Sequence, residues 1–326
     1  MLSLSSSPQP SPAPPSPAPP AIGCPDPLAR APRVSPHSSP ESDRTTLHLA
    51  PPSLQGAATA IICRDTRGQA LDDRQRLSHF PASPLFCLSW YHGMESGLVE
   101  RMAGGPRWRP FGAAVMLSGS QSRPIVSWSP TTGRAGMLCF PADVARPLFG
   151  IDPAALHDRF VAARDLLDAS FDPLLDALTA ADSDAATLSA LESHLAPCWQ
   201  AVQGQQSPSA ALRRFGRHWV ERLAWQAHQW RRTHGPRQVE RRVMAHSGRS
   251  LRHWQTLVRT EGVFFTARER HEAGLPLDWA ALAQEEGFAD QAHMCRATKQ
   301  ITGFSPTDFA RRFVEDEAFW LYRVWV

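Results

Sequence analysis

Between residues 285 and 306 the chain reads "EEGFADQAHMCRATKQITGFSP", with His293 and Cys295 two apart and Arg296 and Lys299 close behind. Histidine and cysteine hold transition metals or supply nucleophiles, whereas arginine, lysine and glutamine bind phosphates and base edges. Local structure decides between these chemistries. Asp290 is a good N-cap and Gly303, followed by Pro306, is a stop, so 291–302 reads as a helix. On a helix, residues two apart point roughly 200° away from each other, and His293 and Cys295 cannot share a metal ion. Cys295 also has no neighbour in the sequence that would stabilise a thiolate. Met294, Ala297, Thr298 and Ile301 fall on one face, and Ala292, Arg296, Lys299 and Gln300 on the other, with His293 at its edge. The second face is basic and rich in hydrogen-bonding groups. A helix fits the major groove of DNA, where Arg bonds guanine O6 and N7 and Gln bonds adenine N6 and N7. Gln291 and Arg296 are placed for bases, and Lys299 suits phosphate.

The elements around this helix must hold it out. "LDWAALAQEE" (277–286) reads as a short helix with Leu277, Ala281 and Leu282 inward, and Gly287 opens a tight connection. Two helices joined by such a turn outline a helix-turn-helix. A related pattern lies upstream in "GPRQVERRVMAHSGRS" (235–250), where Pro236 starts a helix and Gly248 stops it. Val239, Val243 and His246 face one way there; Arg237, Gln238 and Arg241 face the other. "HSGRSL" and "ITGFSP" end the two basic helices alike, and 251–274 reads as a connecting helix between them. Two reading helices on one unit can enter successive major grooves, about 34 Å apart. Before them, "ALRRFGRHWVERLAWQAHQWRR" carries Leu212, Phe215, Trp219, Leu223 and Trp230 on one side.

The whole chain of 326 residues carries a net charge of +3, unevenly spread. From Pro208 onward there are 19 Arg and Lys against 13 Asp and Glu, while the rest has 15 against 18. The basic excess near the C-terminus points to an anionic partner, nucleic acid being the commonest. Residues 1–56 hold 15 of the 30 prolines and read as a disordered tail. From 57 to 200 the apolar runs "ATAIICR", "LFCLSWYH", "FGAAVMLSG", "PIVSWS" and "AGMLCF" read as strands of a barrel or sandwich. Helical spacing follows, through Leu166, Leu167, Phe171, Leu174, Leu175 and Leu178, then Leu188, Leu191 and Leu195. A polar linker at 201–210 separates this part from an all-helical one at 211–326. The fold class is therefore α+β, a β-rich domain with helices followed by an all-α domain with two helix-turn-helix units. The aromatics Trp90, Tyr91, Trp108 and Trp128 read as core and rim packing in preference to ligand contacts.

Six cysteines are scattered without a CxxC, as in a reducing compartment. No apolar run approaches the roughly 20 residues that span a bilayer. The opening residues lack the charged and apolar regions of a secretory signal, so a cytoplasmic protein without membrane contact is expected. No HExxH, phosphate-cradling glycine loop or Gly-flanked nucleophile is present, and neither enzymatic activity nor a cofactor or metal is expected.

Residues 212–313 resemble the DNA-binding region of the AraC/XylS family of bacterial transcription regulators. "LAQEEGFADQAHMCRATKQITGFSPTDFARRF" is similar to the family's second unit and "RQVERRV...SGRSLRHWQTLVR" to its first. The resemblance implies outward recognition positions at Gln291, Ala292, His293 and Arg296 in the second helix and at Arg237, Gln238 and Arg241 in the first. It departs at Met294 and Thr298, where aromatics are usual, and at Gly235, where a Ser cap is usual. "GRAGMLCFPADVARPLFGIDPAALHDRFVAARDLL" more loosely resembles the effector or dimerisation half of such regulators. The implied partners are double-stranded DNA, RNA polymerase, a small-molecule effector and a second copy of the chain, with activation the commoner role. The alternative is a ligand-binding or protein-interaction module whose DNA-binding region has decayed.

Overall fold

The computed structural model describes residues 23–33, 45–202, 212–272 and 278–325. Strands β1 (Thr45–Leu49), β2 (Ala60–Asp65), β3 (Leu77–Phe80), β4 (Phe86–His92), β5 (Gly97–Met102), β6 (Gly105–Pro110), β7 (Val115–Ser118), β8 (Ile125–Trp128), β9 (Arg134–Phe140) and β10 (Phe160–Ala162) form two antiparallel sheets. The larger has the order β1-β2-β9-β4-β7-β10 and the smaller β3-β8-β5-β6. Side chains alternate across a strand, and here both faces of the larger sheet are used. Ile61, Cys63, Leu88, Trp90, Leu138 and Phe140 turn towards covering helices. Ile62, Cys87, Ser89, Tyr91, Met137 and Cys139 turn into the space that the smaller sheet closes. That double burial makes the central strands legible as apolar runs. Gly136 lies opposite Trp90, whose ring occupies the place of a side chain: a Cβ there would sit 2.3 Å from it.

Helices α1 (Ala142–Phe149) and α2 (Pro153–Leu156) lie between β9 and β10, and α3 (Asp172–Ala180) and α4 (Asp184–Val202) follow β10. Leu174, Leu175, Leu178, Leu191, Leu195 and Trp199 join the core beneath the larger sheet. Leu166 and Leu167 precede α3 and lie outside it; the helix starts at Asp172, where Pro173 fits the first turn. The last third is helical: α5 (Leu212–Arg231), α6 (Pro236–Ser247), α7 (Leu251–Glu272), α8 (Trp279–Glu285), α9 (Gln291–Thr302), α10 (Pro306–Glu315) and α11 (Trp320–Trp325). The molecule is thus α+β, a β-rich part with helices followed by an all-α part. Among the described residues no helix is long and apolar enough to cross a membrane.

The two parts share a core. Val220 and Leu223 of α5, Val239 and Val243 of α6, and Trp254 and Leu257 of α7 belong to the same buried cluster as the larger sheet. The Ala82 amide donates to the Ile301 carbonyl (2.9 Å), and the Trp320 indole donates to Ser78 Oγ (2.8 Å). The expected linker at 201–210 lies mostly outside the described residues, and α4 runs through its first two positions to Val202. Leu277 and the side chains of Leu212, Phe215 and Trp219 also lie outside them.

The expectation of a disordered tail reaching residue 56 is corrected. Thr45–Leu49 is the edge strand of the larger sheet, paired from Thr45 opposite Arg64 to Leu49 opposite Ala60, and Leu54 is fully buried. Residues 23–33 form a strap across the α10–α11 junction: Arg312 donates to the Leu28 carbonyl (2.9 Å) and the Glu317 amide to the Ala31 carbonyl (2.8 Å). Averaging over a proline-rich composition hides short runs such as "TTLHL", whose partner lies in β2.

Candidate nucleic-acid interface

Helix α9 occupies the span expected from its caps. Asp290 Oδ1 accepts from the His293 amide (2.6 Å), and Gly303 ends the helix in the left-handed region at φ 87°. Met294, Ala297, Thr298 and Ile301 are buried; Gln291, Ala292, Arg296, Lys299 and Gln300 are exposed. His293 is half-buried with its ring edge-on to Phe288 (5.4 Å), and Cys295 packs against the cluster of Val263, Ala283 and Phe288. They do not converge. Met294 shares a buried cluster with Phe288, against which Trp279 packs.

Helix α8 holds α9 from behind. Asp278 caps it through the Ala280 and Ala281 amides, and Gly287 (φ 73°) makes the turn between the two helices. The Phe288 amide then donates to the Ala283 carbonyl (2.8 Å), and Arg259 of α7 donates to the Gly287 carbonyl (2.9 Å).

In the upstream unit Arg237, Gln238 and Arg241 are exposed on α6, and Val239 and Val243 are buried. Gly235 gives this helix no side-chain cap. Its exit matches that of α9 locally: Ser247 Oγ donates to the carbonyls of Val243 and Arg249, as Thr302 Oγ does to those of Thr298 and Phe304. The residues after Gly248 also match those after Gly287. Ser250 Oγ accepts from the His253 amide (3.3 Å) as Asp290 does from His293, and fully buried Trp254 takes the place of Met294. By this correspondence α6 stands where α8 stands, and the start of α7 stands where α9 stands. Arg252 and Gln255 are exposed there. Sequence reasoning did not single these residues out, because a 22-residue helix reads as a connector. The signal was present in "SGRSLRHW" set beside "EGFADQAHM".

The turn of the upstream unit is tied to the β-rich part. Ser120 Oγ lies 2.9 Å from His157 Nδ1, and the His157 ring packs on Gly248 so closely that a Cβ there would sit 2.4 Å from it. Asp158 accepts from the Ser122 amide and hydroxyl (2.6 Å each) and from Arg249 (3.1 Å). Burial pushes the Asp158 carboxyl up, but the Ser122 bonds, His157 and Arg249 bring it below the usual carboxylate range. Burial, then the positive charge of Arg249, holds His253 below the ordinary histidine range, so it stays neutral. Ser122, Arg123, Pro124, Arg249, His253, Lys299 and Gln300 line one cleft, which brings the end of α9 beside the start of α7.

A second candidate site lies between the sheets. A cavity of 110 Å³ is walled by both sheets and closed by Glu261 of α7 and Leu321 and Tyr322 of α11. Of the aromatics, Trp90 and Trp128 are buried, the Trp108 indole donates to the Trp128 carbonyl (3.2 Å), and Tyr91 lines the cavity.

The sequence matches no family model and no curated relative. Among solved structures the chain is similar to ToxT from Vibrio cholerae O395, with a TM-score of 0.36 and 9% identity over 84% of this chain and 99% of that one. ToxT from the same strain bound to (E)-4-(8-methylnaphthalen-1-yl)but-3-enoic acid gives 0.34 and 9%, over 82% and 98%. Unsaturated fatty acid-bound ToxT from Vibrio cholerae strain SCE256 gives 0.33 and 10%, over 72% and 93%.

Proposed function

We propose that this chain is a sequence-specific DNA-binding transcription regulator of the AraC/XylS type. The observation that carries the reading is the α8–Gly287–α9 unit, which buries Met294, Ala297, Thr298 and Ile301 and holds Gln291, Ala292, Arg296 and Lys299 in solvent. Arg296 and Gln291 read base edges, His293 flanks them, and Lys299 binds phosphate. In the upstream unit the start of α7, with Arg252 and Gln255, takes the reading role, and Arg237, Gln238 and Arg241 of α6 bind the adjoining backbone. The cavity between the sheets receives a small-molecule effector. No covalent chemistry is involved; the regulator acts in the cytoplasm, pairs with a second copy, and activates by recruiting RNA polymerase, as the sequence resemblance implies.

The test is recovery of DNA bound to the tagged chain across its genome, beside an Arg252→Ala/Arg296→Ala variant. Discrete promoter peaks that vanish in the variant are expected. Peaks that persist in it would remove the base-reading role from both helices. One observation favours a second reading, a ligand-binding module whose DNA region has decayed: the Gly248 turn is packed against His157 and cannot shift independently of the β-rich part. A flat dependence of DNA affinity on salt would select that reading, because phosphate contacts release counterions and give a steep slope.

A further inference from the structure

Two neighbouring chambers lie between the sheets. They share Ile62, Phe80, Ser89, Tyr91, Ser127 and Met137 as common walls. The first, of 70 Å³, has Arg64 and Arg76 in its lining, and both are already engaged: Arg64 with Glu317 (3.1 Å) and Arg76 with Asp73 and the Ser129 carbonyl. The second, of 110 Å³, is mostly apolar, and Glu261 is the one charged side chain in its lining among the described residues. Among those residues that carboxylate makes no hydrogen bond and no ion pair, and burial alone pushes it up to about 7. An ionisable group left without a partner in an apolar cavity is costly. A ligand that supplies the missing charge offsets the cost.

We propose that the chamber takes a small apolar molecule bearing one protonated amine, with the Glu261 carboxylate as its counter-ion. The other titratable side chains facing the chamber are Tyr91, Tyr322, Cys87 and Cys139. Burial keeps both tyrosines protonated; Cys139, 3.6 Å from Cys87, is held protonated by that contact and by burial. On α7 itself the next basic side chain, Arg259, is turned to the Gly287 carbonyl. On α11 Arg323 is bound to the carbonyls of Phe313 and Asp316, and on β3 His79 is buried and neutral. Among the described residues no cation competes for Glu261. A carboxylate ligand would place two like charges together, and a neutral one would leave the acid unpaired whenever it ionises. Because α7 also carries Arg252, Gln255 and Arg259, occupancy of the chamber bears on the helix that joins the two reading units. That coupling rests on the regulator reading; the ligand chemistry does not.

The experiment is calorimetric titration of the full chain with 2-phenylethylamine, cyclohexylmethylamine and hexylamine, each beside its matched alcohol and carboxylate, at pH 8 and pH 6. At pH 8 at least one amine binds tenfold or more tightly than its alcohol. At pH 6 its affinity falls roughly tenfold, since the carboxyl must first give up its proton, and heats in two buffers show a proton released. The isosteric Glu261→Gln variant loses the preference for the amine. The proposal is overturned if no amine binds at millimolar concentration, if an alcohol or carboxylate binds as well at pH 8, or if Glu261→Gln keeps the amine preference. The buffer comparison on the unaltered protein decides the case even where the variant does not fold. DNA binding measured on the same preparation separates the failures: amines that bind while DNA does not sink the regulator reading alone.

Discussion

The two glycine turns are alike in backbone and unlike in surroundings. Gly248 and Gly287 both adopt left-handed φ, 77° and 73°. Gly248 is wedged against His157 and flanked by Arg249, which Asp158 holds, so the β-rich part grips this turn. Gly287 is exposed, with only the Arg259 side chain nearby, at 3.9 Å from a Cβ. The same turn is therefore a junction with the β-rich part in one unit and open to solvent in the other, which meets that part only further along, at Ile301 and Phe304. The upstream turn is placed to transmit the state of the β-rich part, whereas the downstream turn does not touch it.

The largest expected effect breaks this comparison directly. Gly248→Ala should destabilise the protein by roughly 2–4 kcal/mol, combining left-handed strain with a clash against the half-buried His157 ring, and Gly287→Ala by about 1 kcal/mol from strain alone. Urea unfolding of both variants checks it; equal losses would mean that the grip on Gly248 is not real. Next in size, Arg296→Ala should cost about 1–3 kcal/mol at particular base pairs, measured by competition between operator and mutated operators. If random DNA loses as much, Arg296 binds backbone.

Acid should separate the anchors of the two units. His79 lies between Phe304 and Phe319, just beyond the exit of α9, and burial, then Arg312, pushes its pKa down to about 3. The unfolded chain takes up that proton below about pH 6.5 while the folded one does not, so stability present above that pH declines as pH falls towards 3. The slope is up to about 1.4 kcal/mol per pH unit. Asp158, whose carboxyl is depressed, supplies stability above about pH 4 that is lost only as pH falls below it. Unfolding followed against pH in His79→Phe and Asp158→Asn should therefore flatten two different windows. Smallest is Lys299→Ala, which should weaken binding on all sequences alike and reduce the slope of log affinity with log salt by about 1.

Local chemistry decides which parts of the molecule could be read from the sequence. The limits of α9 follow from Asp290, Gly303 and Pro306, and the buried set Met294, Ala297, Thr298 and Ile301 follows from helical spacing alone. The central strands were legible because both of their faces are apolar. The edge elements were not: β6, "GPRWRP", has a proline near each end of an exposed, arginine-bearing run that becomes a strand only beside β5. Nor could Glu261 be read. A charged residue on a long helix suggests solvent, and only the fold over the smaller sheet turns it towards a cavity. The likeness of the first turns of α7 to those of α9 was hidden by the length of that helix.

The wall that α11 supplies sets an order of events during synthesis. Trp320 reaches back 242 residues to Ser78, and Leu321 and Tyr322 close a chamber whose other walls belong to strands translated long before. Until those residues emerge, the strands stand with their inner faces uncovered, and so long a loop is slow to close. Nascent chains of this protein should for that interval depend on a chaperone that shields apolar β-surface.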